Sequence, residues 1–359
     1  MQHFTPKKVS QLFSLNNDPM ILSEFKPSTR QKQGLFEKDL FTIDDVQKIG
    51  ECKGFFKRPQ RPMVMTFFTT KGGVFKTTLA LNVARMSALH NIRTCIVGLD
   101  VQGDITLAMG VLPQESEEGE INDVLNRYDE VKGIYDIFTG RSQVSQLLLD
   151  SDIPGLKVIP ETPELVAMAD AIAGMNRREY WLKEKVIAPL KLMFDLIIID
   201  CSPNWNRLTT NALMASDILV SPLECKINNF RNLKIYRRML EEFQNDMQID
   251  LPVLFVPTRY AANKKLSCDI RDWYQSNLEQ VSPVGIREST AVEESMALRV
   301  SLLEHRASGE ILCEMKQVLS WLASECLSRS EDVTNINSLD GQASSLAKKT
   351  GISYQSQLL

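Results

Sequence analysis

The chain has 359 residues, 43% hydrophobic and 24% charged, with a formal net charge of −4. This is the composition of an ordinary globular protein, long enough for one large α/β domain plus a small appendage, and it leaves only a local basic surface for any nucleic-acid binding. Seven cysteines without C-x-x-C spacing and three scattered histidines exclude a redox motif and a metal ribbon and fit a reducing cytosol; apolar runs of strand length exclude a membrane span, and residues 1–8 lack the apolar run of a secretory signal.

Residues 1–62 carry eleven Lys/Arg against seven Asp/Glu, a net of +4 that leaves −8 for the remainder. Residues 16–19 form a turn. Residues 41–49 read as a short capped helix, with Thr42 at the N-cap and Asp44 and Asp45 in the first turn. After a turn at 51–54, a second segment at 55–58 completes the outline of a small helix-turn-helix; a plain helical appendage or a dimerisation arm fits the same residues. Pro59, Arg61 and Pro62 make a stiff linker.

From residue 63 onward, strands alternate with helices. Strands are predicted at 63–68, 94–99, 156–159, 196–199, 218–220 and 253–256, the last five ended by Asp100, Pro160, Asp200, Pro222 and Pro257. Their apolar runs are continuous, the mark of strands buried on both faces. Helical patterns occupy 76–89, 163–189, 206–215, 229–246, 264–280 and 308–328. The expected fold is a doubly wound, mostly parallel sheet of the P-loop NTPase type over 63–328, with a small helical extension at 1–62 and ligands at the carboxyl ends of the strands. Residues 111–150 read as an insertion near the site, with an acidic loop at 113–120 and helices at 131–139 and 144–149. The polar tail 329–359 reads as disordered.

Between the first strand and the first long helix lies Thr69-Thr70-Lys71-Gly72-Gly73-Val74-Phe75-Lys76-Thr77-Thr78. Strand, glycine turn, Lys-Thr and helix form the setting of a phosphate-binding loop, whose free amides and helix dipole converge on one spot. Lys76 is placed on the phosphates and the Thr77 hydroxyl on Mg²⁺. The common loop has a glycine just before the Lys-Thr pair; here Phe75 stands there, and Lys71 adds a second lysine. An apolar strand ending in Asp200 brings a carboxylate to the Mg²⁺ shell. Asp100, at another strand end, is then free to orient or deprotonate the attacking water, with Gln102 and Asp104 as further positions for water or Mg²⁺.

Three motifs together, Lys71-Gly72-Gly73-Val74-x-Lys76-Thr77-Thr78, Asp100-x-Gln102-Gly103 and Ile199-Asp200-Cys201-x-Pro203, resemble those of the ParA/MinD group of deviant Walker A ATPases. The resemblance runs over residues 64–327. An aromatic at Phe75 and a basic N-terminal segment are similar to the plasmid-partition members with an N-terminal DNA-binding extension. The resemblance implies ATP or ADP with Mg²⁺ as ligands, cradled by Lys71, Gly72, Gly73, Val74, Phe75, Lys76, Thr77 and Thr78, with Thr77 and Asp200 serving the metal. It implies catalytic roles for Lys76 and Asp100, and for Lys71 as the lysine that crosses to the partner's nucleotide in an ATP-sandwich homodimer. Thr258 and Arg259 are implied near the adenine. Nonspecific DNA binding is implied through basic residues of the C-terminal part, for which Lys264, Lys265, Arg271, Arg287 and Arg299 are the candidates, ahead of Arg237 and Arg238. Hydrolysis is implied to be slow and stimulated by a ParB-like centromere-binding partner.

The leading expectation is therefore a partition ATPase, nucleoid-associated in a bacterial cytoplasm. A MinD-like membrane-cycling ATPase needs a basic amphipathic C-terminal helix, which residues 348–359 match poorly, so no membrane partner is expected. An autorepressor that reads operator DNA through residues 1–62, with ATP or ADP as the switch, is the alternative from another class.

Overall fold

The computed structural model describes residues 3–13, 15, 24–33, 36–111, 131–305 and 309–350, with side chains described for all of these except 30–38 and 332–350. The N-terminal segment contributes helix α1 (Pro6–Phe13), a hairpin of β1 (Thr29–Gln33) and β2 (Phe36–Leu40), and helix α2 (Ile43–Lys53). α2 begins with a reciprocal cap. Thr42 Oγ1 accepts from the Asp45 amide at 3.3 Å, and Asp45 Oδ2 accepts from the Thr42 amide at 3.0 Å. α1 and the hairpin have no counterpart in the sequence reading of a helical extension.

The helix-turn-helix outline does not form. Residues 55–58 are not helical. They are held extended because the Phe55 amide donates to His90 Nε2 at 3.1 Å and the Phe55 and Phe56 rings pack against the imidazole, with centroids 4.6 and 6.0 Å away.

The central part follows in order: β3 (Met63–Phe67), α3 (Lys76–Leu89), β4 (Thr94–Leu99), α4 (Asp104–Met109), α5 (Ile134–Phe138), β5 (Leu149–Asp150), β6 (Leu156–Ile159), α6 (Leu165–Ala171), α7 (Ala188–Lys191) and β7 (Leu196–Cys201). Then come α8 (Arg207–Ala215), β8 (Ile218–Glu224), α9 (Ile227–Met247), β9 (Val253–Tyr260), α10 (Lys265–Asn277), β10 (Ile286–Arg287), α11 (Thr290–Ala297) and α12 (Gly309–Thr350). The strands form one sheet in the order β10-β9-β8-β3-β7-β4-β6-β5, parallel throughout except for β5 against β6.

Alternate residues of each strand feed two cores. Met63, Met65, Phe67, Ile96, Ile198 and Val220 face one side, and Val64, Val97, Ile197, Ile199 and Leu219 the other. The first core also holds Phe4, Val9, Leu12, Phe13, Val46, Ile49 and Phe56 together with α3 and α12. Residues 1–62 are thus a layer of the main domain rather than a separate module. Gly50 and Gly54 permit this packing, since a Cβ on Gly50 would come within 2.2 Å of the Leu89 carbonyl and one on Gly54 within 2.0 Å of the His90 ring.

Several boundaries differ from expectation. Pro222 and Pro257 lie inside β8 and β9, paired with Val256 and Leu223; Pro222 falls past the last β3–β8 pair, Phe67 with Val220, where the ladder on that side has ended. The helix expected over 163–189 is broken into α6, two 3₁₀ turns, a π turn and α7. Arg177 sits at φ +53°, and Pro189 supplies no amide to the turn before it. In the 111–150 insertion, the acidic loop expected at 113–120 lies outside the described residues. Among its described residues, 131–150 hold a helix at Ile134–Phe138, and Val144–Gln146 is a 3₁₀ turn leading into β5. α12 continues through the stretch read as a disordered tail, to Thr350; its turn at 325–330 is tied by Arg329 to Glu325 and by the Ser330 hydroxyl, which bonds the Leu327 carbonyl and accepts from the Gln60 amide. Residues 351–359 lie outside the described residues.

The buried His90 makes this packing acid-sensitive. Its Nδ1 bonds the Met86 carbonyl at 2.6 Å and its Nε2 accepts from Phe55, so the ring is neutral with its proton on Nδ1. Burial pushes its pKa down to about 4, against the opposing bond to Met86. The unfolded chain takes up a proton below the ordinary value of 6.5 while the folded chain does not until about 4, so stability is full above 6.5 and is lost as pH falls between the two. The expected loss is about 1.4 kcal/mol per pH unit, so the lead of the wild type over His90→Leu in urea melts should shrink by about 2 kcal/mol between pH 7 and pH 5. A constant difference between the two proteins over that range would remove His90 from the acid response.

Candidate active site

β3 opens into residues 69–75, and the loop closes on α3 through two left-handed residues, Gly73 and Phe75, both at φ +70°. No atom lies within 4 Å of a Cβ built on Gly73, so the backbone angle rather than crowding calls for glycine there. Phe75 adopts the same angle with a side chain, at a cost on the order of 1–3 kcal/mol. Its ring offsets this by burial, and the Arg259 guanidinium lies 5.2 Å from its centroid. Arg259, itself at φ +49°, donates to the Gly73 carbonyl at 3.2 Å and pairs with Glu288 at 2.7 Å. Thr258 Oγ1 donates to the Val74 carbonyl at 3.1 Å. The end of β9 therefore braces the back of the loop, and Phe75 is the residue that Arg259 covers.

Lys76 is buried at the loop's closing turn, its Nζ donating to the Lys71 carbonyl at 2.9 Å. Burial lowers its pKa, opposed by Asp200 and Asp100. Asp200 stands on β7 in register with Phe67 on one neighbour and Gly98 on the other. It is fully buried, and among the described residues neither carboxylate oxygen has a hydrogen-bond partner in good geometry. Burial pushes its carboxyl up to about 7, against the neighbouring Thr77 hydroxyl and the Lys76 ammonium. An orphaned buried carboxylate beside a threonine hydroxyl is an oxygen donor set that a hard divalent cation completes, with the Lys76 ammonium left for the phosphates, and these residues fit Mg²⁺. Asp100 sits just past β4, its Oδ1 accepting the Gln102 amide at 3.2 Å.

Gly72 to Thr78, Asp100, Gln102, Asp104 and Arg259 line one cleft of about 650 Å³, whose opposite wall is α11 and Arg299. The structure thus brings together most of the residues singled out in the sequence. Lys71 stands outside it: exposed, it lines a separate depression with Glu224, Asn229 and Tyr236. Thr258, implied near the adenine, is fully buried, donates to the Val74 carbonyl and does not line the cleft.

The basic residues proposed for DNA differ in how freely they are presented, although Arg271 and Arg287 both pack on the Tyr260 ring. Lys264 and Lys265 are exposed at the start of α10. Arg271 pairs with Asp272 and lies 4.6 Å from the Tyr260 ring. Arg287 is held by Glu314 at 2.7 Å, and by Glu310, on α12. Arg299 faces the nucleotide-sized cleft, packed over Gly110. Sequence spacing shows charge but not the carboxylates that α12 brings from elsewhere in the chain.

One acid escaped the sequence reading. Glu161 follows β6 and is buried; burial, with Asp200 nearby, pushes its carboxyl up to about 8, opposed by hydrogen bonds from Thr106. A lone Glu after a strand-ending proline carries no signal, since its partners lie on other elements.

Comparison with known proteins agrees with this geometry. A family described as an AAA domain matches residues 63–253. The chromosome partitioning protein ParA of Caulobacter vibrioides is 26% identical over 276 residues, 75% of this chain and 95% of that one. The crystal structure of a plasmid partition protein from Borrelia burgdorferi bound to AMPPNP aligns with a TM-score of 0.60 at 18% identity, over 74% of this chain and all of that one. Cobyrinic acid a,c-diamide synthase from Mycobacterium smegmatis, with a bound ATP analog and magnesium, aligns at 0.54 and 26% identity, over 66% and 91%.

Proposed function

The chain belongs to the ParA/MinD family of P-loop ATPases, and from that premise we propose that it is a partition ATPase working as an ATP-sandwich homodimer that binds DNA nonspecifically. Its ligands are ATP or ADP with Mg²⁺. Mg²⁺, when bound, supplies positive charge to the phosphate oxygens from between Thr77 and Asp200. The loop amides and Lys76 hold the phosphates of the substrate. Asp100, at the edge of the cleft, orients or deprotonates the attacking water. Lys264 and Lys265 are the DNA contacts best supported by their exposure, and hydrolysis stimulated by a centromere-binding partner releases the dimer.

The observation that carries the dimer reading is the separation of the two lysines. Lys76 is turned into its own cleft, while Lys71 lies outside that cleft on an exposed neighbouring surface, where a second subunit's phosphates can meet it. The operator-reading alternative loses its main support, because residues 55–58 do not form a second helix. The membrane-cycling alternative gains none: among the described residues no helix is long and apolar enough to cross a membrane, and an amphipathic end would rest on 348–359, most of which lies outside the described residues.

Lys71→Ala separates these readings. In sedimentation with a nonhydrolysable ATP analogue, the wild type is expected to dimerise and the variant to stay monomeric, while monomer nucleotide affinity changes by less than about threefold, under ~0.7 kcal/mol. A variant that dimerises like the wild type would show that Lys71 does not act across subunits.

A further inference from the structure

We propose that Glu161 is a positioning residue for hydrolysis: it clamps α4, and with it the 100–104 segment, against the ends of β4 and β6. The functional part of this rests on the role given to Asp100 above; the clamp itself does not.

α4 is six residues long, too short to hold its own shape, and its N-cap is Gly103, which has no side chain to satisfy the amides of the first turn. Glu161 supplies the missing acceptor from another strand. Its Oε2 accepts the Thr106 amide at 3.0 Å, the position an N-cap side chain would normally serve, and the Thr106 hydroxyl at 2.7 Å. In return the Glu161 amide donates to Thr106 Oγ1 at 2.9 Å, closing the contact into a mutual pair.

The side chain is fixed from below as well. A Cβ on Gly98 would come within 2.3 Å of Glu161 Cγ, so the glycine of β4 is the slot in which the side chain lies. Gly98 is in register with Asp200 and two residues before Asp100. Glu161 therefore links the end of β6, the strand that delivers Asp100, and the helix whose start carries Asp104. Its other oxygen, Oε1, is buried without a partner among the described residues. A merely packing side chain at this place would be apolar, since an unpaired buried oxygen is costly. Loss of the clamp should leave the phosphate loop intact and let the 100–104 segment wander from its catalytic position.

The test uses full-length Glu161→Ala, Glu161→Gln and Thr106→Val. Hydrogen exchange of the amides in 104–109 is measured without nucleotide, turnover by phosphate release, and affinity with a nonhydrolysable ATP analogue. Glu161→Ala is expected to speed exchange at 104–109 and to lower kcat at least about tenfold, with analogue affinity within about threefold. Glu161→Gln keeps an oxygen that accepts both Thr106 donors and is expected to stay within about threefold of the wild type in all three readouts. Thr106→Val keeps the amide and loses the hydroxyl, so a smaller fall of about two- to fivefold in kcat is expected, and it carries the test if Glu161→Ala does not fold. Unchanged exchange at 104–109, or equal losses in kcat and affinity, would overturn the clamp. If exchange rises while kcat holds, and Asp100→Asn also turns over normally, the failure lies with the role of Asp100 and the positioning role of Glu161 falls with it.

Discussion

Alanine at position 76 is expected to lower ATP turnover by about 10³-fold, the scale on which removing one preorganised phosphate-side donor acts. The Lys76 ammonium is buried and faces two carboxylates, Asp200 and Asp100. Its contact with the Lys71 carbonyl holds it in the cleft before substrate arrives, so little reordering is needed when phosphates replace that carbonyl. Without the lysine, Asp200 loses a favourable charge that now opposes its protonation, and its site for a divalent cation weakens as well. The loss should therefore fall on both KM and kcat. Lys76→Arg is not expected to restore activity, because a planar fork does not fit a buried slot shaped for a compact ammonium. Phosphate-release kinetics, with a fluorescent nucleotide to report affinity, measure both terms. Turnover within about tenfold of the wild type would remove Lys76 from the phosphate contacts.

The parts of this site that were legible in the sequence are those encoded by short runs. β4 and β6 begin and end where the apolar stretches 94–99 and 156–159 do, and α3 spans the expected 76–89. Asp100, Asp200 and the loop lie at strand ends, and strand ends converge in any parallel doubly wound sheet. The hairpin at 29–33 and 36–40 was not legible, because TRQKQ and FEKDL lack the apolar alternation that marks a half-buried strand.

What could not be read at all are contacts between distant residues. Phe75 stands where the common loop has glycine, and its partner Arg259 lies 184 positions away. Glu161 meets Thr106 across 55 positions. Arg287 looked like a free cation until α12 placed Glu314 beside it. Each belongs to tertiary packing, on which local propensity and periodicity are silent. The N-terminal layer has the same character: its apolar residues complete the core beneath α3 and α12, far along the chain.

Replacing Arg85 by methionine is expected to destabilise the fold by about 3–5 kcal/mol, the cost of leaving one member of a buried charge pair unpaired. Arg85 sits on α3 with its side chain fully buried. Its guanidinium makes a fork to Glu304 at 2.7 and 2.8 Å and a second fork to Asp152 at 2.7 and 2.9 Å. Burial favours the neutral forms, but the mutual attraction wins, holding Arg85 charged and Glu304 below the usual carboxylate range. The two acids differ in what they leave behind. Glu304 is as buried as the arginine, whereas the Asp152 side chain is half exposed, so water can solvate it if the arginine is lost. Asp152→Ala should cost only about 1 kcal/mol by the measure of exposed pairs, and Glu304→Leu alone should cost nearly as much as Arg85→Met. The double change Arg85→Met with Glu304→Leu removes both charges and should recover most of the loss, because well-packed apolar residues often replace a buried pair at little cost. Urea melts of the wild type, Arg85→Met, Glu304→Leu and the double variant form the cycle that reads the coupling. A double variant no more stable than the worse single one would mean that the pair's shape, rather than its charge, holds α3 to the 301–304 segment. Asn82, one turn nearer the phosphate loop, binds the same segment through the Leu302 amide at 2.8 Å. That second tie should keep the start of α3 in place even when Arg85 is lost, so Arg85→Met is expected to lose stability well before it loses nucleotide affinity.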